Sequence, residues 1–148
     1  MRNRILFFII LVLFLSGCVK KDKIEIRTIE KNVTVNVEIA DTYKKRERGL
    51  MFRKSLGKND GMFFIFEDEK YVVFWMKKTF IPLDMIFISS NGTINEIKEN
   101  IQPCLVDPCQ LYPSLNPSKY VLEVNANFSR NNGISVGDKI ASSWIYNQ

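Results

Sequence analysis

The stretch LDMIFISSNGTINEIK, residues 83–98, predicts a β-hairpin. Its first part, Leu83–Ser89, is rich in aliphatic and aromatic residues, and short runs of this kind are typical of buried strands. Asn91-Gly92 is the strongest hairpin signal in the chain and predicts a type I′ turn, which needs positive φ at both positions. Thr93–Lys98 is then predicted to return antiparallel to the first strand.

Further strand patterns lie on both sides of this hairpin. Residues 33–39 alternate between aliphatic and polar side chains, which is typical of a half-buried antiparallel strand. The apolar runs Gly61–Phe66 and Tyr71–Met76 predict two buried strands joined by a turn at Glu67–Lys70. Weaker or shorter patterns predict three more strands, at Ile24–Ile29, Tyr120–Val124 and Ile140–Tyr146.

The segments between these strands contain little helix. A short helix is predicted to run from its cap at Asp41 or Thr42 to Arg48, and residues 127–132 predict a helical turn. The proline-rich segment Glu99–Lys119 has no periodic pattern and is predicted to be a long loop. Many short strands predict a mainly β fold, either a compact antiparallel β sandwich or a partly open barrel with one or two short helices.

The N-terminus has the pattern of an exported lipoprotein. A short basic start precedes the unbroken apolar run Ile5–Leu15. A membrane-spanning helix needs about 20 apolar residues, so this shorter run fits a secretory signal. Ser16 and Gly17 are small residues directly before Cys18, as in a lipobox. We therefore predict lipidation of Cys18; the alternative is an ordinary signal peptide with an incidental cysteine.

The lipobox interpretation sets the expected domain organisation and location. Residues 1–17 would be a signal peptide, residues 18–31 a tether and first strand region, and residues 32–148 a single β-rich domain. Two acyl chains on Cys18 would anchor the protein stably to a membrane. We expect a cell-envelope protein on the outer face of the cytoplasmic membrane, or on the outer membrane if the host has one.

The composition excludes several function classes. The formal net charge is +5, of which Arg2 and Arg4 supply two units, and no basic run has interleaved aromatic residues. We therefore expect no nucleic-acid partner. The chain has no histidine, which excludes a Ser-His-Asp or Cys-His site built from this chain alone. We expect no cofactor and no metal. Thioethers suit Cu(I), but four methionines lie in apolar runs and are interpreted as core residues: Met51, Met62, Met76 and Met85.

Cys104 and Cys109 remain once Cys18 is set aside. Outside the cytoplasm, a disulfide is the expected state of such a pair. For so small a loop, the chain-entropy model gives a stabilisation of about 2 kcal/mol. Free thiols are an alternative. A metal site is disfavoured because a soft metal needs more ligands than two thiolates provide.

A charged cluster lies inside FWMKKTFIPLD, residues 74–84, the most hydrophobic stretch of the mature chain. Asp84 lies between apolar residues of the predicted strand, and a buried carboxylate must be paired or hydrogen-bonded. We favour an internal ion pair of Asp84 with Lys77 or Arg48. The alternative is a turn lock, in which the carboxylate accepts hydrogen bonds from backbone N–H groups.

The same residues support two functional hypotheses. A concave pocket would use a tryptophan as a stacking surface and charged groups to orient a polar ligand; its candidate residues are Arg48, Trp75, Lys77, Thr79 and Asp84. A hydrolase of glycosidase type would need two carboxylates, and the nominated pair is Asp84 and Glu123. A third hypothesis is a structural interaction domain that makes its contacts through residues 99–119.

Several short motifs occur in a characteristic order. They are RGLM at 48–51, GMFF at 61–64, WMKKT at 75–79 with IPLD at 81–84, YVLE at 120–123, and GI at 133–134 with GD at 137–138. This order and spacing resemble the family called domain of unknown function 192, over Val33–Ile140. The resemblance implies a compact, mainly β domain that is often exported and has no established activity.

The central motif of that family is Trp-Met-Lys-Asn-Thr, so Lys78 replaces an asparagine in this chain. Lys78 therefore cannot take any role that needs the asparagine amide. From all these features we expect a lipid-anchored binding or accessory module. Its partner would be a small polar ligand, a glycan or an envelope protein.

Overall fold

The structure, a computed structural model, describes residues 22–142 and Ile145. The predicted signal peptide and Cys18 lie outside the described residues. Among the residues described, no helix has the length and apolar character needed to cross a bilayer.

Nine strands and two short helices form the described part of the chain. In chain order they are β1 (Asp22–Arg27), β2 (Asn32–Ala40), α1 (Tyr43–Arg48), β3 (Asp60–Lys70), β4 (Val73–Trp75), β5 (Leu83–Ile88), β6 (Ile94–Ile101), β7 (Leu111–Pro113), β8 (Ser118–Asn125), α2 (Phe128–Asn132) and β9 (Lys139–Ala141). The prediction of a mainly β domain with one or two short helices is confirmed.

The main sheet has seven strands in the order β6-β5-β8-β3-β2-β1-β9, and β4 pairs with β7 in a small second sheet. All neighbours in the main sheet are antiparallel except β2 and β3, which are parallel. The sheet curls so that its edges meet at one end. There the Ile140 N–H donates to the Gly92 carbonyl at 2.8 Å, and the Ile94 N–H donates to the Asp138 carbonyl at 2.9 Å. The architecture is therefore a partly open barrel rather than a sandwich.

Strand β5 is buried at every position because both faces of the sheet are covered. Ile86 and Ile88 belong to a first hydrophobic cluster, which also includes residues of β1, β2 and β9. Leu83, Met85 and Phe87 face a second cluster on the other side of the sheet. The second cluster packs under α1 and the small sheet, and this layer holds the candidate site described below.

Two predicted loops contain strand structure. The predicted turn at Glu67–Lys70 is wrong, because β3 continues to Lys70. The strand is irregular there, because its register with β8 shifts between Ile65 and Lys70. The second apolar run provides only the short strand β4, which pairs outside the main sheet. Residues 99–119 were predicted to be structureless but contain the end of β6, a disulfide and β7.

The β5–β6 hairpin is confirmed, but its turn is not type I′. Gly92 has a φ of 80°, whereas Asn91 is not among the residues with positive φ. The Asn91 side-chain oxygen instead accepts a hydrogen bond from the Thr93 N–H at 3.0 Å. The alternation in residues 33–39 is confirmed as well, although β2 has one parallel neighbour that the pattern did not predict.

Candidate functional site

A cavity of about 380 Å³ lies between α1, β4 and the second-cluster face of the main sheet. Phe64, Phe66 and Phe74 form much of its apolar wall, and their rings pack edge to face around Phe74. Trp75 lines the cavity and is 42% exposed. The cavity is therefore an aromatic recess that is open to solvent.

The end of α1 shapes one side of this recess. The Thr42 hydroxyl accepts the Lys45 N–H at 3.4 Å, which caps the helix as predicted. The helix ends at Gly49, which has a φ of 47°. A Cβ at this position would lie 3.4 Å from the Phe64 ring. Glycine thus permits both the left-handed backbone and the close approach of the aromatic wall.

Arg46 fixes α1 to the sheet. Its guanidinium donates hydrogen bonds to the Ile65 carbonyl at 2.8 Å and to the Asp41 carbonyl at 2.7 Å. It also lies 5.3 Å from the centroid of the Phe66 ring. Arg46 therefore holds one wall of the cavity in place through two hydrogen bonds from its Nη1.

Glu123 lies at the inner end of the cavity on the central strand β8. It pairs with Met62 and Met85 on the neighbouring strands and faces the second cluster. The residue is only 4% exposed, and its carboxyl group has no hydrogen-bond partner among the described residues. Burial raises the pKa of Glu123 to about 8, so the carboxyl group is mostly protonated at neutral pH.

Thr79 is a second buried polar residue in the same cavity. It is 5% exposed, and its N–H donates to the Met76 carbonyl at 3.1 Å. Its hydroxyl group has no hydrogen-bond partner in the part of the chain that the structure describes. The cavity therefore presents one hydroxyl and one carboxyl group whose hydrogen-bonding capacity the described protein does not use.

The structure brings four predicted site residues to this cavity: Arg48, Trp75, Thr79 and Glu123. Arg48 is exposed and makes no ion pair within residues 22–142. Lys77 lies in an adjoining groove, also lined by Arg48 and Trp75, and its Nζ is 5.9 Å from the centroid of the Trp75 ring. Its ammonium forms an ion pair with Asp107 at 2.9 Å.

Asp84 does not belong to the cavity, and its predicted ion pair with Lys77 or Arg48 is wrong. The carboxylate is fully buried on the first-cluster side of the sheet, whereas both cations lie on the other side. It accepts backbone N–H groups from Asn100 at 2.8 Å, Asn127 at 2.9 Å and Ser129 at 2.9 Å. This is the turn-lock alternative, although the donors come from segments distant in sequence rather than from the turn before Pro82.

The nominated catalytic pair is also wrong. Met85 is the direct partner of Glu123, so Asp84, one residue earlier on β5, points to the opposite face. A substrate bound on one face of the sheet cannot contact both carboxyl groups. The hydrolase hypothesis based on Asp84 and Glu123 therefore fails on geometry.

The predicted disulfide between Cys104 and Cys109 is confirmed, with an S–S distance of 2.10 Å. It lies beside the central motif: the Cys104 N–H donates to the Met76 carbonyl at 3.2 Å, and the Lys78 N–H donates to the Cys104 carbonyl at 3.3 Å. The disulfide loop therefore supports the segment that carries Lys77 and Thr79.

Sequence patterns missed two parts of the site. The aromatic wall from Phe64, Phe66 and Phe74 looked like ordinary core sequence, because a cavity lining and a core have the same apolar pattern. Arg46 is one of four basic residues in the helix segment, and nothing in the sequence distinguishes it from Lys44, Lys45 and Arg48. Both the cavity and the contacts of Arg46 depend on segments that are distant in sequence. No local sequence pattern could therefore have predicted them.

Comparisons with known proteins support the family resemblance that the order of the motifs predicted. The model of the family DUF192, described as "Uncharacterized ACR", matches residues 25–142. The chain belongs to the DUF192 family. The UPF0127 protein PF1050 of Pyrococcus furiosus is 28% identical over 112 residues, which cover 74% of this chain and 89% of that protein.

Two crystal structures share the DUF192 fold seen here. One is a protein from Sinorhizobium meliloti 1021 whose description suggests a transcription regulator. It is 37% identical to this chain, with a TM-score of 0.78. The match covers 83% of this chain and 94% of that protein. The other is a protein of unknown function from Novosphingobium aromaticivorans, which is 30% identical to this chain with a TM-score of 0.77. The match covers 82% of this chain and 84% of that protein.

The structure gives a backbone reason for asparagine in the DUF192 motif. Lys78, which replaces it here, has a φ of 57°. Asparagine tolerates this left-handed conformation better than most residues. The Lys78 carbonyl accepts the Phe52 N–H at 2.7 Å, and Phe52 itself has a φ of 65°. The left-handed main-chain conformation therefore restricts which residues suit this motif position.

Proposed function

We propose that this protein is a lipid-anchored extracytoplasmic module that binds a small polar ligand in the cavity between α1, β4 and β8. The observation that carries the proposal is that Glu123 and Thr79 line this cavity nearly buried and without a hydrogen-bond partner among the described residues. Because the cavity is open, a ligand can take the hydrogen bonds that water would otherwise make with these two groups. A ligand that hydrogen-bonds both groups accounts for their presence.

The remaining lining supports a ligand with an apolar or ring-shaped body. Small-molecule sites are typically mostly apolar recesses of about 300–1,000 Å³ with a few convergent polar groups. The Phe64, Phe66 and Phe74 rings would surround the body of the ligand, and Trp75 offers a flat surface near the opening. The cavity volume of about 380 Å³ suits a metabolite-sized molecule better than a protein segment.

Charge selects further among small polar ligands. Arg48 at the cavity has no counter-ion within the described part of the chain and favours an anionic group on the ligand. Glu123, while protonated, can donate a hydrogen bond to a carbonyl or hydroxyl oxygen without repelling that anion. The cavity thus favours an anion with an additional polar group on an apolar body.

The lipid anchor rests on the sequence of residues 1–18. A basic start, a short apolar run and small residues before Cys18 would export the chain and attach it to the envelope. The Cys104–Cys109 disulfide accords with an oxidising compartment outside the cytoplasm. The cavity would then meet ligands at the envelope.

The test is a thermal-shift screen of the full chain against small carboxylates, phosphate esters, nucleosides and sugars. A ligand should raise the Tm of the wild type, and Glu123→Leu and Thr79→Val should remove that shift. Ser129→Ala is the matched control, because the buried Ser129 hydroxyl also lacks a partner among the described residues but lies beside Asp84, on the opposite face of the sheet. Equal shifts in Glu123→Leu and the wild type would contradict the proposed site.

A further inference from the structure

Exposed aromatic side chains lie at the cavity and in the groove beside it. Tyr43, which is 75% exposed, and Trp75 line the cavity. Phe52, which is 55% exposed, lines the adjoining groove with Trp75, and Phe80, which is 44% exposed, packs against Phe52. The Phe52 and Phe80 rings contact each other edge to face, with centroids 6.2 Å apart. Exposed aromatic groups of this kind mark interaction surfaces.

Cations are interleaved with these aromatic groups. The groove beside the cavity is lined by Lys44, Arg48, Lys77 and Lys78, and Glu47 is its one acidic lining residue among those described. Within residues 22–142, Lys44 and Arg48 make no ion pair. The Lys78 ammonium lies 5.6 Å from the centroid of the Phe52 ring. The groove therefore carries surplus positive charge beside apolar rings.

The backbone holds this arrangement at a cost. Phe52 and Lys78 both have left-handed φ values, 65° and 57°, and a 2.7 Å hydrogen bond joins the Phe52 N–H to the Lys78 carbonyl. A left-handed conformation is unfavourable for side chains other than glycine, asparagine and aspartate. Such strain clusters at functional sites, where the surrounding structure enforces it. Here it keeps Phe52 exposed with Lys78 beside it.

The N-terminal end of the described chain lies next to the same surface. Asp22 lines a second groove together with Lys45, Arg48 and Phe52. Asp22 follows Cys18 by only four positions. Four extended residues reach at most about 14 Å. A lipid on Cys18 would therefore hold the bilayer surface within about that distance of Asp22, which shares its groove with Arg48 and Phe52.

We propose that the surface formed by Tyr43, Phe52, Trp75 and Phe80 with Lys44, Arg48, Lys77 and Lys78, hereafter the basic aromatic face, docks onto an anionic phospholipid bilayer. Aromatic rings settle at the level of lipid headgroups, and basic side chains are attracted by anionic lipid. The inference rests on the lipid anchor of the proposed function, which supplies the tether. Because Arg48 and Trp75 belong to both the face and the cavity, the cavity would open at the membrane surface.

The experiment uses the full lipidated chain reconstituted into vesicles that contain bromine-labelled phosphatidylcholine, with or without phosphatidylglycerol. Trp144 is replaced by Phe, so that the fluorescence reports on Trp75 alone. We expect bromine to quench Trp75, and more strongly when phosphatidylglycerol is present. Lys44→Gln and Lys78→Gln should each shift the equilibrium from docked to undocked by about fivefold. Circular dichroism checks that every variant is folded.

Val136 provides the control position. It is 62% exposed in the loop that leads into β9, and β9 begins opposite Arg27, at the end of β1 remote from Asp22. A Val136→Trp variant that also carries Trp75→Phe and Trp144→Phe should sediment with the vesicles but escape quenching. Equal quenching at positions 75 and 136 would overturn a specific docking face.

The remaining outcomes separate the docking face from the anchor. A chain that sediments with the vesicles while Trp75 stays unquenched overturns the docking proposal and leaves the anchor intact. A lipid-processed chain that does not sediment overturns the anchor and the docking proposal together. Binding of a random-sequence DNA duplex in place of lipid quenching would assign the basic aromatic face to nucleic acid and likewise overturn the proposal.

Discussion

Asp84 and Glu123 lie on the adjacent central strands β5 and β8, but their carboxyl groups face opposite sides of the sheet. Three backbone N–H groups satisfy the Asp84 carboxylate. The Glu123 carboxyl group has no such partner among the described residues and lines the cavity. Two buried acids separated by one sheet thus have different roles: Asp84 stabilises the fold, and Glu123 is available to a ligand.

The first prediction is that Glu123 makes the folded state less stable as the pH rises. Its pKa is raised from 4.5 to about 8 in the folded protein, so the folded state holds its proton more tightly than the unfolded state. The contribution of Glu123 to the free energy of unfolding should be full below pH 4.5 and should fall between pH 4.5 and about 8, by up to about 1.4 kcal/mol per pH unit. Denaturant titrations across this range should show the slope in the wild type, and it should be absent in Glu123→Gln.

The second prediction is that Asp84→Asn destabilises the protein by at least about 2 kcal/mol. An amide offers one acceptor oxygen instead of two, and its NH₂ group would face backbone donors. Chemical denaturation measures the loss. Asp138→Asn is the matched control, since Asp138 accepts the Ser135 N–H at 2.8 Å near the surface and should cost much less. An unchanged Tm in Asp84→Asn would show that the three hydrogen bonds do not stabilise the fold.

Third, Lys78→Asn should stabilise the protein by up to about 1 kcal/mol, because asparagine tolerates the left-handed conformation at this position. Lys78→Gln is the control, as it also removes the ammonium near Phe52 but retains an ordinary backbone preference. The difference in Tm between the two variants isolates the backbone effect. If the Tm of Lys78→Asn were equal to or lower than that of Lys78→Gln, the predicted backbone effect would be wrong.

The fourth prediction concerns the Cys104–Cys109 disulfide. Replacing both cysteines by serine should lower the free energy of unfolding by about 2 kcal/mol, the chain-entropy value for a short loop. Reductant should lower the stability of the wild type by a similar amount and leave the double variant unchanged. A wild type insensitive to reductant under denaturing conditions would argue against this contribution.

The fifth prediction concerns the anchor. Cys18→Ser should release the protein from the membrane fraction, because the sulfur that would be acylated is lost. Cys104→Ser, which also removes a cysteine but not the lipidation site, should stay with the membranes. Cell fractionation followed by mass spectrometry of the N-terminus measures both. If Cys18→Ser remained in the membrane fraction, residues 1–17 would be an uncleaved anchor.

Local patterns in the sequence determined the strands and the residues that need partners. The alternation in residues 33–39 and the apolar run of β5 report burial directly, because side chains of a strand alternate between two faces. Burial alone also required Asp84 to be hydrogen-bonded. These properties depend on residues within a few positions of one another, so they could be predicted without knowing the fold.

Long-range pairing decided the rest. Strand β2 lies parallel to β3, and Asp84 accepts N–H groups from Asn100, Asn127 and Ser129. Glu123 and Thr79 line the same cavity. Each of these arrangements joins segments that are far apart in sequence. An apolar pattern states that a side chain avoids water, but it does not state which neighbour replaces the water. Only the tertiary structure selects that neighbour, and it placed one acid among hydrogen-bond donors and the other at an open cavity.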